Sequence, residues 1–259
     1  GDIQIDANGQ LSLSRTAARD DLRLSAASIE LNGDAYAGRD ARLNADNDIY
    51  VAEQQRLAAA GDVRLTAQVV DNWGDVESGR DQEDGRNPAS TLRIDTDELF
   101  NQGQLTAHGA LEIQAQHLEN QGGTVLGSQA VKLEVAELDN RNGQIIAQQT
   151  LSLNGSALDN REGTLASNQT MAIQLTGHLD NRDDGLLFSK AGGLEVSAEQ
   201  LDNAGGIMQT DQGTLQLTAD SLNNRHGSIA TRDGALQVQV ADIDNQQGSL
   251  LASGGELTS

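Results

Sequence analysis

The sequence predicts an all-β solenoid, a right-handed parallel β-helix with coils of about 19–22 residues. Three observations carry that expectation: a short motif that returns at near-constant spacing, apolar residues paired with a period of two, and a scarcity of aromatics and proline. The 259 residues include one Trp, two Tyr, two Phe and one Pro, but 28 Gly. Large aromatic side chains usually dominate compact cores, so this interior has to be filled by Leu, Ile, Val and Ala. Turns fall to Gly, Asn and Asp, which tolerate positive φ.

The returning motif is Leu-Asp-Asn, as in Leu138-Asp139-Asn140, Leu158-Asp159-Asn160, Leu179-Asp180-Asn181 and Leu201-Asp202-Asn203. Leu222-Asn223-Asn224 and Ile243-Asp244-Asn245 continue it, and Val70-Asp71-Asn72, Leu99-Phe100-Asn101 and Leu118-Glu119-Asn120 are looser copies. Successive asparagines lie 29, 19, 20, 20, 21, 22, 21 and 21 residues apart. A Gly follows each triplet, and two residues beyond it sits an apolar residue such as Ile145, Leu165, Leu187, Met208 or Ile229. Period-two pairs come next, including Leu111/Ile113, Leu151/Leu153, Leu194/Val196 and Leu215/Leu217. Period two indicates strand, because alternate side chains leave opposite faces. Each repeat therefore reads as three short strands joined by turns, and no segment sustains the 3.6-residue period of a helix. The Ala-rich stretch 51–60 comes nearest and reads as a variant coil. Residues 1–69 read as irregular coils: the related segments 37–43 and 60–65 end in Leu43 and Leu65, still 22 apart. Residues 70–259 read as regular repeats.

A coil of about 20 residues cannot bury its apolar side alone, so neighbours must stack and pair their strands. At a strand spacing of about 4.8 Å, about 12 coils would make a rod of roughly 60 Å. Alternation points Leu138 and Asn140 inward and Asp139 outward. Buried amides need partners, and stacked amides supply them as a ladder. The expected ladder is Asn72, Asn101, Asn120, Asn140, Asn160, Asn181, Asn203, Asn224 and Asn245. Asp in that column would set like charges one strand spacing apart.

The run Leu138-Asp139-Asn140-Arg141-Asn142-Gly143-Gln144-Ile145-Ile146-Ala147 and its later copies resemble the repeats of filamentous haemagglutinins and of contact-dependent growth inhibition effectors. The resemblance covers residues 70–259 well and 1–69 more loosely. It implies a Gram-negative exoprotein that is secreted to the cell surface by two-partner secretion. Its partners would be an outer-membrane transporter barrel during export and a receptor on a host or neighbouring cell. The family's secretion domain carries Asn-Pro motifs in a characteristic setting. The only Asn-Pro here, Asn87-Pro88, lacks that setting, and no toxin module is visible in these residues.

The remaining chemistry is sparse. A formal net charge of −22 repels phosphate backbones and anionic headgroups, so neither nucleic acid nor a membrane surface is an expected partner. No cysteine is present, which excludes thiol chemistry and suits export. No apolar run is long enough to span a bilayer as a helix. The histidines His108, His117, His178 and His226 lack metal-site spacing, with His117 and His178 expected in solvent. The acidic groups Asp46-Asn47-Asp48 and Asp183-Asp184-Gly185 do not match a calcium loop. Serine-nucleophile and phosphate-loop motifs are missing, and the carboxylates are too abundant for any pair to stand out as a glycosidase dyad. No cofactor and no catalytic residue is expected.

One departure from the period stands out. The 29-residue interval from Asn72 to Asn101 places an extended loop at about 73–90, with Trp73, Arg80, Arg86 and Pro88 as candidate interaction residues. The reading favoured is a monomeric rod serving as the shaft of a surface adhesin. The shaft of a growth-inhibition effector and a carbohydrate-binding or carbohydrate-cleaving β-helix are the alternatives.

Overall fold

The computed structural model describes residues 1–81 and 85–258. It divides into two compact units, Gly1–Glu134 and Val135–Ser259. Each is a parallel β-solenoid, and no helix occurs among the described residues. The fold class is the one the repeat predicts.

In the first unit a stack of short strands runs through Thr16–Ala18, Ala35–Ala37, Arg56–Ala59, Asp75–Ser78, Gln104–Ala107 and Thr124–Gly127, all pairing in parallel. A second stack contains the long strands Leu22–Leu31 and Ala41–Val51 and the later Thr91–Asp95 and Ala110–Glu119. The second unit repeats the plan. Its short strands are Gln144–Ala147, Thr164–Ser167, Leu186–Ser189, Ile207–Gln212, Ser228–Asp233 and Ser249–Ala252. Its long strands include Leu151–Asp159, Met171–Asp180, Leu215–Asn223 and Leu236–Asp244.

The register puts like residues over like. Met171 pairs with Leu151 and Leu194, and Leu215 pairs with Leu194 and Leu236. All five are buried. Each such side chain contributes about 1.5–3 kcal/mol on burial, and the column replaces the aromatic core the composition lacks.

Two local differences from the sequence reading have clear causes. The Leu-x-Leu pair and the following Leu-Asp are one strand in many coils, as in Leu151–Asp159, rather than two. No Gly-Pro type breaker separates them, and the change of direction is taken up by a register shift between Gly155 and Ala157, a β-bulge. They stay separate in Leu194–Ser197 with Gln200–Asp202 and in Thr91–Asp95 with Glu98–Asn101. The departure in the long interval is also narrower than 73–90, because Asp75–Ser78 keeps register with Arg56–Ala59 and Gln104–Ala107. The chain leaves the stack at Gly79, whose φ is 79°. It makes an antiparallel pair, Arg80–Asp81 with Gly85–Arg86. It then returns through Asn87, whose backbone N–H donates to the Gly79 carbonyl at 2.8 Å. Gln82, Glu83 and Asp84, which belong to the expected loop, lie outside the described residues.

Candidate functional site

The asparagine column follows each Leu-Asp strand end, where the backbone turns, and in the second unit the asparagine N–H still donates to the next coil, as Asn140 does to the Asp159 carbonyl at 2.7 Å. In the first unit Asn72 Nδ2 donates to Asn101 Oδ1 at 2.8 Å, and Asn101 Nδ2 to Asn120 Oδ1 at 2.6 Å. In the second unit Asn140, Asn160, Asn181, Asn203, Asn224 and Asn245 form a file with amide-to-amide distances of 2.7, 2.7, 2.8, 2.8 and 2.7 Å. The amides also close the turn. Asn160 Nδ2 donates to the carbonyls of Gly163 and Leu186 at 3.2 and 3.3 Å. Every member from Asn72 to Asn224 has 0% exposure, whereas Asn245 is half-buried.

The glycine three or four residues after each asparagine from Asn120 onward is there for space, not for φ. A Cβ on Gly163 would lie 2.1 Å from the Asn140 carbonyl oxygen, 2.6 Å from Asn160 Oδ1 and 2.9 Å from Asn140 Nδ2. Gly123, Gly185, Gly206, Gly227 and Gly248 meet equivalent atoms. The left-handed position falls one residue earlier, at Gly122, Asn142, Glu162, Asp184, Gly205, His226 and Gln247. Only two of these are glycine, so the turn carries strain at several non-glycine residues.

The column has a defined lower edge. Asn72 is paired with Val51, Val51 with Leu31, and Leu31 with Leu13. Below Asn72 the amide file thus becomes aliphatic, and Val51 has no donor to offer. Asn72 Oδ1 is accordingly buried without a hydrogen-bond partner. An orphaned acceptor of this kind costs about 1–3 kcal/mol. The aliphatic column is the physical reason the early coils lack the Leu-Asp-Asn motif while winding in the same register.

Outside the amide file of the second unit runs a file of alternating charge. Arg141 Nη2 lies 2.6 Å from Asp139 and its Nε 3.6 Å from Asp159. Arg161 bridges Asp159 at 2.6 Å and Asp180 at 3.4 Å, and Arg182 bridges Asp180 at 2.7 Å and Asp202 at 3.7 Å. Each guanidinium thereby neutralises the repulsion between aspartates of successive coils. The hydrogen bonds they donate to Asp159 and Asp180 push the Arg161 and Arg182 guanidiniums above their ordinary range. Burial pushes Asp180 up, but hydrogen bonds from Arg182 and the charges of Arg182 and Arg161 outweigh it and hold Asp180 below the usual carboxylate range. The file breaks at Ala204, where Asn223 Nδ2 donates to Asp202 instead. The arginines were absent from the expected site. Their signal was the Arg directly after the motif at positions 141, 161, 182 and 225.

The loop residues do not form one group. Trp73 is 41% exposed on the turn after Asn72, before the short strand that keeps register. Arg80 and Arg86 face each other in the hairpin. Pro88 lies beyond it, its carbonyl accepting from Gln129 Nε2 at 2.7 Å. Arg80 pairs with Glu77 at 2.9 Å.

His117 and His178 are exposed. His108 is enclosed, its Nε2 lying 2.8 Å from Glu77 Oε1. Those residues are 31 apart in sequence, a contact that local spacing does not display. Among the described residues no group of three His, Asp or Glu could hold a metal, and no helix is long and apolar enough to cross a membrane.

Comparison with protein families places these coils in context. The model described as haemagglutinin repeat matches residues 1–82, 89–155, 134–183, 184–233 and 212–259. No curated protein and no solved structure matches the chain.

Proposed function

Because the chain belongs to the haemagglutinin repeat family, we propose that it is a segment of the structural shaft of a secreted, cell-surface filamentous adhesin. The observation that carries this reading is the amide file. Repeated hydrogen-bonded amides with no titratable group serve to lock each coil onto the next, and they leave no reacting atom exposed. The outer aspartate and arginine files do the same work in water. The role is reach and stiffness rather than catalysis, and the coils act as a monomeric rod.

Export through an outer-membrane transporter barrel of a Gram-negative cell belongs to the same proposal. It is supported by the family and by the absence of cysteine, which leaves no disulfide to block an unfolded chain. Small-angle scattering of the purified chain tests the shaft. A rod advancing about 4.8 Å per coil supports it, and the scattering of a compact sphere of the same mass rejects it. Adhesion is tested separately with chain-coated beads on epithelial cells.

A further inference from the structure

The long-strand stack of the first unit gathers, on its outer face, side chains that the composition makes scarce. Glu30, Tyr50, Asp71, Phe100 and Glu119 stand one coil apart in a single register. The residues flanking each of them in sequence are buried, so strand alternation turns this column to solvent. Trp73, the one tryptophan of the chain, sits two residues beyond Asp71 on the turn and is 41% exposed. Its indole N–H donates to the Asp71 carboxylate. Three of the five aromatic residues of the chain thus surround one acid.

Asp71 is set apart from the other aspartates of its kind. It is half-buried, and burial pushes its carboxyl up against the opposing hydrogen bond from Trp73. Among the described residues no Lys or Arg pairs with it, whereas Asp159, Asp180 and Asp202 at the equivalent place in the motif are each bridged by arginine. The next outward column adds two more acids, Asp48 and Glu98, both aligned with Val69.

We propose that Tyr50, Phe100 and Trp73 form an aromatic cage for a quaternary ammonium group of the choline type, with Asp71 as its counter-charge. Tyr50 and Phe100 lie two strand spacings apart, about 9.6 Å. A cation held midway, over Asp71, is about 4.8 Å from each ring position, inside the roughly 6 Å reach of a cation–π contact. A trimethylammonium group has no N–H to donate, so ring faces suit it better than carboxylates alone. A primary ammonium or guanidinium would find acids elsewhere in a chain with 39 of them. An uncharged apolar ligand would leave Asp71 without a counter-charge. Glu30 and Glu119, one coil beyond each ring, repel a phosphate on the same ligand. The assignment is independent of the shaft reading.

Trp73, as the only indole, reports on the cage directly. The test is titration of the whole chain with choline chloride at constant ionic strength, followed by tryptophan fluorescence. Ethylammonium, phosphocholine and neopentyl alcohol, the uncharged tert-butyl counterpart of choline, serve as comparisons. A saturable change with choline is expected, with each comparison binding about tenfold more weakly or worse. Tyr50→Leu and Phe100→Leu should each weaken choline binding about fivefold and Asp71→Asn about tenfold, with circular dichroism unchanged. Asp71→Asn keeps the rings and the side-chain shape, so it decides the matter even where a ring variant folds poorly. No saturable change, equal binding of neopentyl alcohol or ethylammonium, or unchanged affinity in Asp71→Asn overturns the proposal. Tighter binding of phosphocholine than of choline overturns it in favour of a zwitterionic headgroup.

Discussion

Asn160→Asp replaces one amide nitrogen by oxygen and leaves the side-chain shape intact, so it isolates what the amide file contributes. Asn160 accepts from Asn140 at 2.7 Å and donates to Asn181 Oδ1 at 2.7 Å and to the Gly163 and Leu186 carbonyls at 3.2 and 3.3 Å. With no exposure to water, an ionised aspartate there would set its oxygen against three acceptors. A protonated one can donate once. The amide shares its two hydrogens among three acceptors, so the protonated variant loses one of two donor hydrogens, about 1 kcal/mol.

Burial and the three facing oxygens raise the folded pKa of the new carboxyl above its unfolded value near 3.9. Below about pH 4 both states are protonated and only the first loss applies. As pH rises the unfolded chain releases the proton first, and stability falls by about 1.4 kcal/mol per unit until the folded carboxyl ionises. A shift of about three units therefore adds about 4 kcal/mol of destabilisation by pH 7. Guanidinium melts of both proteins at pH 4, 5.5 and 7, followed by circular dichroism, give the difference directly. Asn245→Asp, in a half-buried member, should cost much less. A cost below about 1 kcal/mol at pH 7, or one that is the same at pH 4 and pH 7, would refute the idea that a dry, fully bonded amide file holds the coils together.

Further consequences follow from the neighbouring columns. Gly163→Ala forces a Cβ to within 2.1 Å of the Asn140 carbonyl and 2.6 Å of Asn160 Oδ1. It should cost about 3 kcal/mol through overpacking and broken amide bonds, read as a lowered denaturation midpoint. Glu162, at φ 57°, carries left-handed strain of about 1–2 kcal/mol. Glu162→Gly relieves it against an entropy cost of about 0.5–1 kcal/mol, and a small rise in melting temperature is expected. Asp180 has its folded pKa depressed by Arg182 and Arg161. Its stabilising share is present above the unfolded pKa and lost as pH falls through the folded one. Asp180→Asn should therefore lower stability at pH 7 while narrowing the gap to wild type at pH 2–3, measured by acid melts.

The pairing of amide and glycine columns also constrains how such repeats can vary. A glycine of the turn cannot gain a side chain while its asparagines stay in file, and a new donor has to sit below each acceptor. At Asn72 that rule fails, and the orphaned Oδ1 marks the junction between aliphatic and amide packing. Asn72→Leu would move the orphan up one coil, to Asn101 Oδ1, rather than remove it.

The period of the sequence determined the solenoid, because strand alternation and a recurring motif near 20 residues leave few other ways to bury leucine. It also determined which asparagines share a column, since residues one coil apart must stack in a parallel register. Other features depend on what lies one coil away and several residues along, which no local pattern records. These include the steric reason for the glycines, the arginines that stitch Asp139, Asp159, Asp180 and Asp202, the Glu77–His108 contact and the gathering of Tyr50, Phe100 and Trp73 around Asp71. Only the stacked structure decided them, because distances of a few ångströms between side chains of different coils follow from exact coil lengths and turn geometry rather than from residue type.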